Sequence, residues 1–230
     1  MKKLIVVLVV SFQSLFSQIE KQVGSFNKVT AFDKIDVVLI QSDEDKVVLN
    51  GDGFEDVEII NKNGELKIRM PLLKMLSGDN VSATVYFKSL NAIEANEGSQ
   101  ISCEDALEAT SFDIIAKEGA QIKVTINVSR LNIKISSGAN ATLFGKASTQ
   151  EVLVGSGAVY NANTLITTQT IITANAGAEA DVFATELVDA KVRAGGIITI
   201  YGNPKQINKK IIAGGQIKKH NETDVLKDEN

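Results

Sequence analysis

A three-residue motif centred on glycine recurs seven times from residue 97 onward. Glu97-Gly98-Ser99 is followed by Glu118-Gly119-Ala120, Ser137-Gly138-Ala139, Ser156-Gly157-Ala158, Ala176-Gly177-Ala178, Ala194-Gly195-Gly196 and Ala213-Gly214-Gly215. The glycines are spaced by 21, 19, 19, 20, 18 and 19 residues. A near-constant period of this length marks a repeat architecture, in which each unit buries its apolar face only on its neighbours. Five and three positions before the glycines stand pairs such as Ile93/Ala95, Ile133/Ile135 and Val152/Val154. Three and five positions after them stand Ile101/Cys103, Ala141/Leu143 and Ala180/Val182. Alternation on both sides of a fixed glycine reads as strand, sharp corner, strand, with one face buried. Val, Ile and Thr dominate and no 3.6-residue stripe appears, which makes helix a poor fit. The expected fold is therefore all-β: a single-stranded β-solenoid, or β-helix, with coils of about 19 residues. In the last unit Lys209 and Lys219 interrupt the inner ladder, as a terminal coil requires if it is not to stack on another molecule.

Upstream of the repeats, residues 24–90 lack the glycine corner but still alternate. Ile35, Val37 and Leu39 form one strand and Val47–Leu49 another. Val57–Ile60 and Leu66–Ile68 flank Asn63-Gly64, the strongest short-range hairpin signal. This segment is predicted to cover one end of the solenoid, within a single domain spanning residues 18–218 with its repeat coils at about 93–218. Residues 1–17 have the layout of a secretory signal peptide: Lys2-Lys3, an apolar run from Leu4 to Val10, and a cut before Gln18. That run is too short to anchor in a bilayer, for which about 20 residues are needed, and no later stretch is longer. The expected location is outside the cytoplasm: periplasm, outer cell surface or extracellular space. Residues 219–230 read as a polar, disordered tail.

Composition narrows the chemistry. The net charge of −4, which loss of two lysines with the leader makes more negative, disfavours a nucleic-acid partner. One Cys and one His exclude an internal disulfide and multi-Cys or paired-His metal sites. No metal, no cofactor and no catalytic residue is predicted. Glu179 and Asp181, on one outward face with Lys123 and Arg193 as basic partners, are the only candidates for carboxylate chemistry; the usual fate of such a pair is a solvated face. Asp43-Glu44-Asp45 and the acids between Asp52 and Asp56 gather oxygen ligands without an EF-hand order, and read as turn chemistry. Thr164, Thr167, Thr168, Thr170 and Thr173 cluster along one coil, which suits strand propensity better than a flat binding array. Cys103 reads as a small core residue, His220 as solvated, and Asn221-Glu222-Thr223 as a bare glycosylation pattern.

Phe32-Asp33-Lys34-Ile35, then Asn63-Gly64-Glu65-Leu66-Lys67-Ile68, then the repeated Gly-Ser/Ala corners form an ordered set over residues 30–218. In that order and spacing the chain resembles the auto-transporter adhesin, head GIN domain family of exported bacterial proteins. The resemblance implies an adhesin-like role and transfers no catalytic residue. No membrane-barrel segment follows the repeats, a departure from a true autotransporter. The expected function is that of an exported, non-enzymatic binding or adhesin-like cell-envelope protein. The ligand is left open between a glycan, a matrix protein and an envelope protein. The alternatives are a carbohydrate-active β-helix enzyme and a structural envelope protein that associates with itself.

Overall fold

A computed structural model describes residues 18–220; the leader, the glycosylation pattern at Asn221 and the rest of the C-terminal segment lie outside them. The chain is a β-solenoid of about seven turns with coils of about 19 residues. Among the described residues, seventeen strands join in one continuous sheet. They are β1 (Ile19–Gln22), β2 (Lys28–Ala31), β3 (Asp36–Gln41), β4 (Lys46–Gly51), β5 (Glu58–Lys62), β6 (Glu65–Arg69), β7 (Val81–Phe87), β8 (Ala92–Ala95) and β9 (Gln100–Ala116). The chain continues through β10 (Gln121–Ile135), β11 (Asn140–Val154), β12 (Val159–Asn175), β13 (Glu179–Phe183), β14 (Leu187–Arg193), β15 (Ile197–Tyr201), β16 (Gln206–Ile212) and β17 (Gln216–Lys219).

Each repeated motif is a tight turn with two consecutive left-handed residues. At Ser137-Gly138, φ is +56° and +72°, and the Ala139 N–H donates to the Ser136 carbonyl at 3.2 Å. Positive φ at both central positions defines a type I′ turn, whose second position favours glycine. A Cβ built on Gly138 meets nothing within 4 Å, so backbone conformation, not crowding, selects glycine there. The turns also bond to one another: Gly119 N–H donates to Ser137 O at 3.0 Å, and Gly138 N–H to Ser156 O at 3.1 Å. The following Ala120, Ala139, Ala158 and Ala178 are fully buried, so a small residue is what the inside of the corner admits.

Parallel pairing holds the coils in register, with Ile122 beside Ile101 and Ala141, and Ile133 beside Ile114 and Val152. The predicted inner ladder is buried through the first six motifs, from Ile93 and Ala95 to Ile198 and Ile200. In the seventh, Lys209 and Ile211 are exposed, so among the described residues β16 and β17 present an open, lysine-bearing end.

The upstream segment forms the hairpin β5–β6 through Asn63 and Gly64, at φ +54° and +81°. That hairpin and the antiparallel strands β1 and β4 close one end of the solenoid. β2 and β3 do more than cover it. They form a coil inside the stack, β2 between β6 and β8, and β3 between β7 and β9. Their corner, Phe32 to Ile35, is another I′-type turn built without glycine: Asp33 and Lys34 lie at φ +59° and +65°, and the Lys34 N–H donates to Glu97 O at 2.9 Å. Asp33, only 3% exposed, accepts the Met70 and Leu76 N–H groups, each at 2.9 Å. Across this end runs an alternating ion ladder, Lys67–Glu65–Lys28–Glu94–Lys117.

Candidate functional site

The outward columns anticipated from the sequence are continuous. Gln100, Gln121, Asn140, Val159, Glu179, Ile197 and Gln216 stand side by side on successive coils. Ser102, Lys123, Thr142, Asn161, Asp181, Thr199 and Lys218 form a parallel column. Glu179 is exposed and Asp181 half-buried. Desolvation, reinforced by the charge of Glu179, raises the Asp181 carboxyl above its ordinary value, against the pull of the Thr199 hydroxyl and His220. Lys123 lies three coils away, about 14 Å at the spacing of stacked strands. Arg193 pairs in register with Asn175 and Ile212, beyond the corner. The structure therefore does not bring the two proposed basic partners to the carboxylates.

A second polar face escaped the sequence reading. β10, β11 and β12 each carry two consecutive exposed residues in mid-strand, Ser129-Arg130, Ser148-Thr149 and Thr168-Gln169. There the alternation slips by one, so the chain bends without a glycine while its apolar residues stay inside. The pairings Ala109–Val128–Ala147–Thr167 and Ser111–Arg130–Thr149–Gln169 fix the register on either side. Thr110, Ser129, Ser148 and Thr168 thus form a column of exposed hydroxyls on four successive coils, roughly 4.8 Å apart. Beside it lies an open groove of about 430 Å³ lined by Asn127, Ser129, Lys146, Ser148, Ile166 and Thr168. The signal was present: each hydroxyl stands nine positions before a corner glycine. Another shallow groove, of about 460 Å³, runs along the other arm between Ile115, Lys134, Leu153 and Ile171.

The remaining candidates have structural duties. Asp45 accepts the Lys88 N–H at 3.0 Å, and Asp56 pairs with Lys74; among the described residues no three potential ligands gather around a metal position. Cys103 is a free core thiol that desolvation pushes up to about 11, a poor nucleophile. Thr167 and Thr170 are more than strand formers: both are buried, in a hydrogen-bonded chain with Gln150 and Tyr160. His220 is not free in solvent either. Its ring stacks on Tyr201 at 4.4 Å between centroids, and its backbone N–H donates to Ile200 O at 2.8 Å.

The fold has solved counterparts. A "putative adhesin" from Bacteroides fragilis NCTC 9343 superimposes with a TM-score of 0.83 at 19% identity, covering 90% of this chain and 98% of its own. A "putative adhesin" from Parabacteroides merdae ATCC 43184 gives 0.72 at 15%, covering 89% and 96%. A "putative lipid binding protein" from Parabacteroides distasonis ATCC 8503 gives 0.68 at 17%, also covering 89% and 96%. At these identities the likeness is one of fold. No curated protein matches the chain in sequence. Residues 25–204 match the family model described as "Putative auto-transporter adhesin, head GIN domain", and the chain belongs to that family.

Proposed function

We propose that this is an exported, non-enzymatic, adhesin-like protein that holds an extended polar polymer, such as a glycan, along its outward solenoid surface. The observation that carries this reading is the hydroxyl column Thr110, Ser129, Ser148 and Thr168, exposed and in register over four coils. A rigid row of equivalent donors and acceptors suits a repeating ligand, because each added contact acts at the effective concentration set by its neighbours. Arg130 and Gln169 extend the row sideways, and the groove beside Lys146 gives the polymer an edge to lie against. The family and two of the three solved counterparts described above are named for adhesion, which agrees with this reading.

The test is retention on immobilised glycans, matrix proteins and cell-envelope fractions. The triple variant Ser129→Val, Ser148→Val, Thr168→Val keeps strand propensity and removes the hydroxyls. Loss of three contacts of about 1 kcal/mol each should weaken polymer binding roughly 100-fold. Equal retention of variant and wild type, or no retention on any surface, contradicts the assignment.

A further inference from the structure

The last described coil carries an unbalanced charge. Residues 202–220 contain five lysines, Lys205, Lys209, Lys210, Lys218 and Lys219, and no Asp or Glu. Lys205 pairs with Glu186 of the coil below at 2.9 Å; among the described residues the other four enter no ion pair. Lys209 stands on the inner ladder, beside Ala190, and its Nζ reaches across the mouth of the coil to donate to the Ile217 carbonyl at 3.3 Å. Ile211 and Ile212 are 51% and 39% exposed. Among the described residues β16 pairs with β14 alone and β17 with β15 alone, so the outer edge of each carries unpaired N–H and C=O groups. This end is cationic, partly apolar and open to a further strand.

The residues that follow have the complementary composition. Positions 221–230 hold Glu222, Asp224, Asp228 and Glu229 against Lys227, with Val225-Leu226 between them. We propose that this segment occupies the open end of its own molecule, adding one more parallel strand over β16. The register comes from the coil already in place. Leu187 pairs with Gln206 and Ile197 with Gln216, both 19 residues apart, and His220, its ring stacked on Tyr201, keeps the same offset. Carried one coil further, that offset sets Leu226 on Ile207 of the inner ladder, and Asp224, Asp228 and Glu229 on Lys205, Lys209 and Lys210. No like charges meet, because Lys227 falls on Asn208 and Glu222 on Asn203. A slip of one residue either way turns Leu226 outward. An offset of 18 also sets Lys227 on Lys209, and an offset of 20 sets it on the inner Ile207. Three lysines meet three carboxylates in the register that also keeps the leucine inside, which is what points to this segment rather than to an unrelated strand. The contact lies apart from the hydroxyl column, and either proposal can fail alone.

Cysteine pairs test the register in the full chain, whose single native thiol, Cys103, is buried. Asn208→Cys with Lys227→Cys sets two thiols side by side, about 4.8 Å apart at Cα and within the span of a disulfide. Asn208→Cys with Thr223→Cys is the control, its second thiol off register. In dilute protein under mild oxidant, the first pair should close within one molecule roughly tenfold faster than the control. A segment that is not seated would close both at nearly equal rates, since the cost of loop closure varies slowly with length. Asp228→Lys with Glu229→Lys should slow the in-register closure about tenfold, and adding Lys209→Asp with Lys210→Glu should restore it. Without any added cysteine, amide exchange in residues 206–212 should be slower in the wild type than in the Asp228→Lys, Glu229→Lys variant. The proposal is overturned if the two cysteine pairs close alike, if charge reversal changes neither closure nor exchange, or if the disulfide joins two molecules instead of one.

Discussion

Tyr160 is a large phenol with no exposure at all, in a core otherwise made mainly of Ile, Val, Leu, Ala and a few Phe. Its hydroxyl donates to Gln150 Oε1 at 2.8 Å, and Gln150 Nε2 donates to Thr170 Oγ1 at 2.9 Å. Thr167 gives its own proton to the Phe183 carbonyl at 2.6 Å, so the 2.8 Å contact between the two threonines must have Thr170 as donor. The four side chains thus form a one-directional chain ending on the backbone, which is how a buried polar cluster avoids the cost of an unmet group. Tyr160→Phe removes the first donor and leaves Gln150 Oε1 unmatched. The variant should lose about 1–3 kcal/mol of stability, read from urea denaturation. None of this was visible in a run of threonines. Thr167 and Thr170 differ from the exposed Thr164 and Thr168 only in phase, and the phase changes at a bend that no glycine marks.

The corner is the element that made the fold legible. Where the turn needs a left-handed residue, the sequence spells it with glycine at nearly fixed spacing, and the strands on either side follow. The same turn at Asp33-Lys34 stayed hidden, because its second position is lysine and its stability comes from contacts distant in sequence, to Met70, Leu76 and Glu97. Strain and space can be separated experimentally. At Gly138 an added Cβ meets nothing, so Gly138→Ala should cost only the left-handed penalty, about 1–2 kcal/mol, and Gly138→Asn less. At Gly145, φ is +95° and a Cβ would lie 2.3 Å from the Ile126 carbonyl oxygen, so Gly145→Ala should cost more. Thermal denaturation of the three variants orders these effects; equal losses at 138 and 145 would contradict the distinction.

At the scale of the whole molecule, chain order and stacking order part company. The coil of β2 and β3 comes first in sequence but lies between the strands of later segments, a placement set by long-range pairing that local patterns do not encode. The far end is protected by charge. Lys209 and Lys219 occupy positions where other coils carry apolar residues, and charge there disfavours the templating of another chain by β16 and β17. Lys209→Val together with Lys219→Val should therefore produce concentration-dependent association in light scattering, while the wild type stays disperse. A wild type that already polymerises end to end would contradict that role. Between a capped end and a charged end, the solenoid offers long, regular sides, and the binding role proposed for them requires the protein to stand outside the cell that makes it.

Protease added to intact cells tests that requirement most directly. The account predicts that the protein is degraded while a periplasmic marker survives. Protection until the outer membrane is broken would contradict an adhesin-like role.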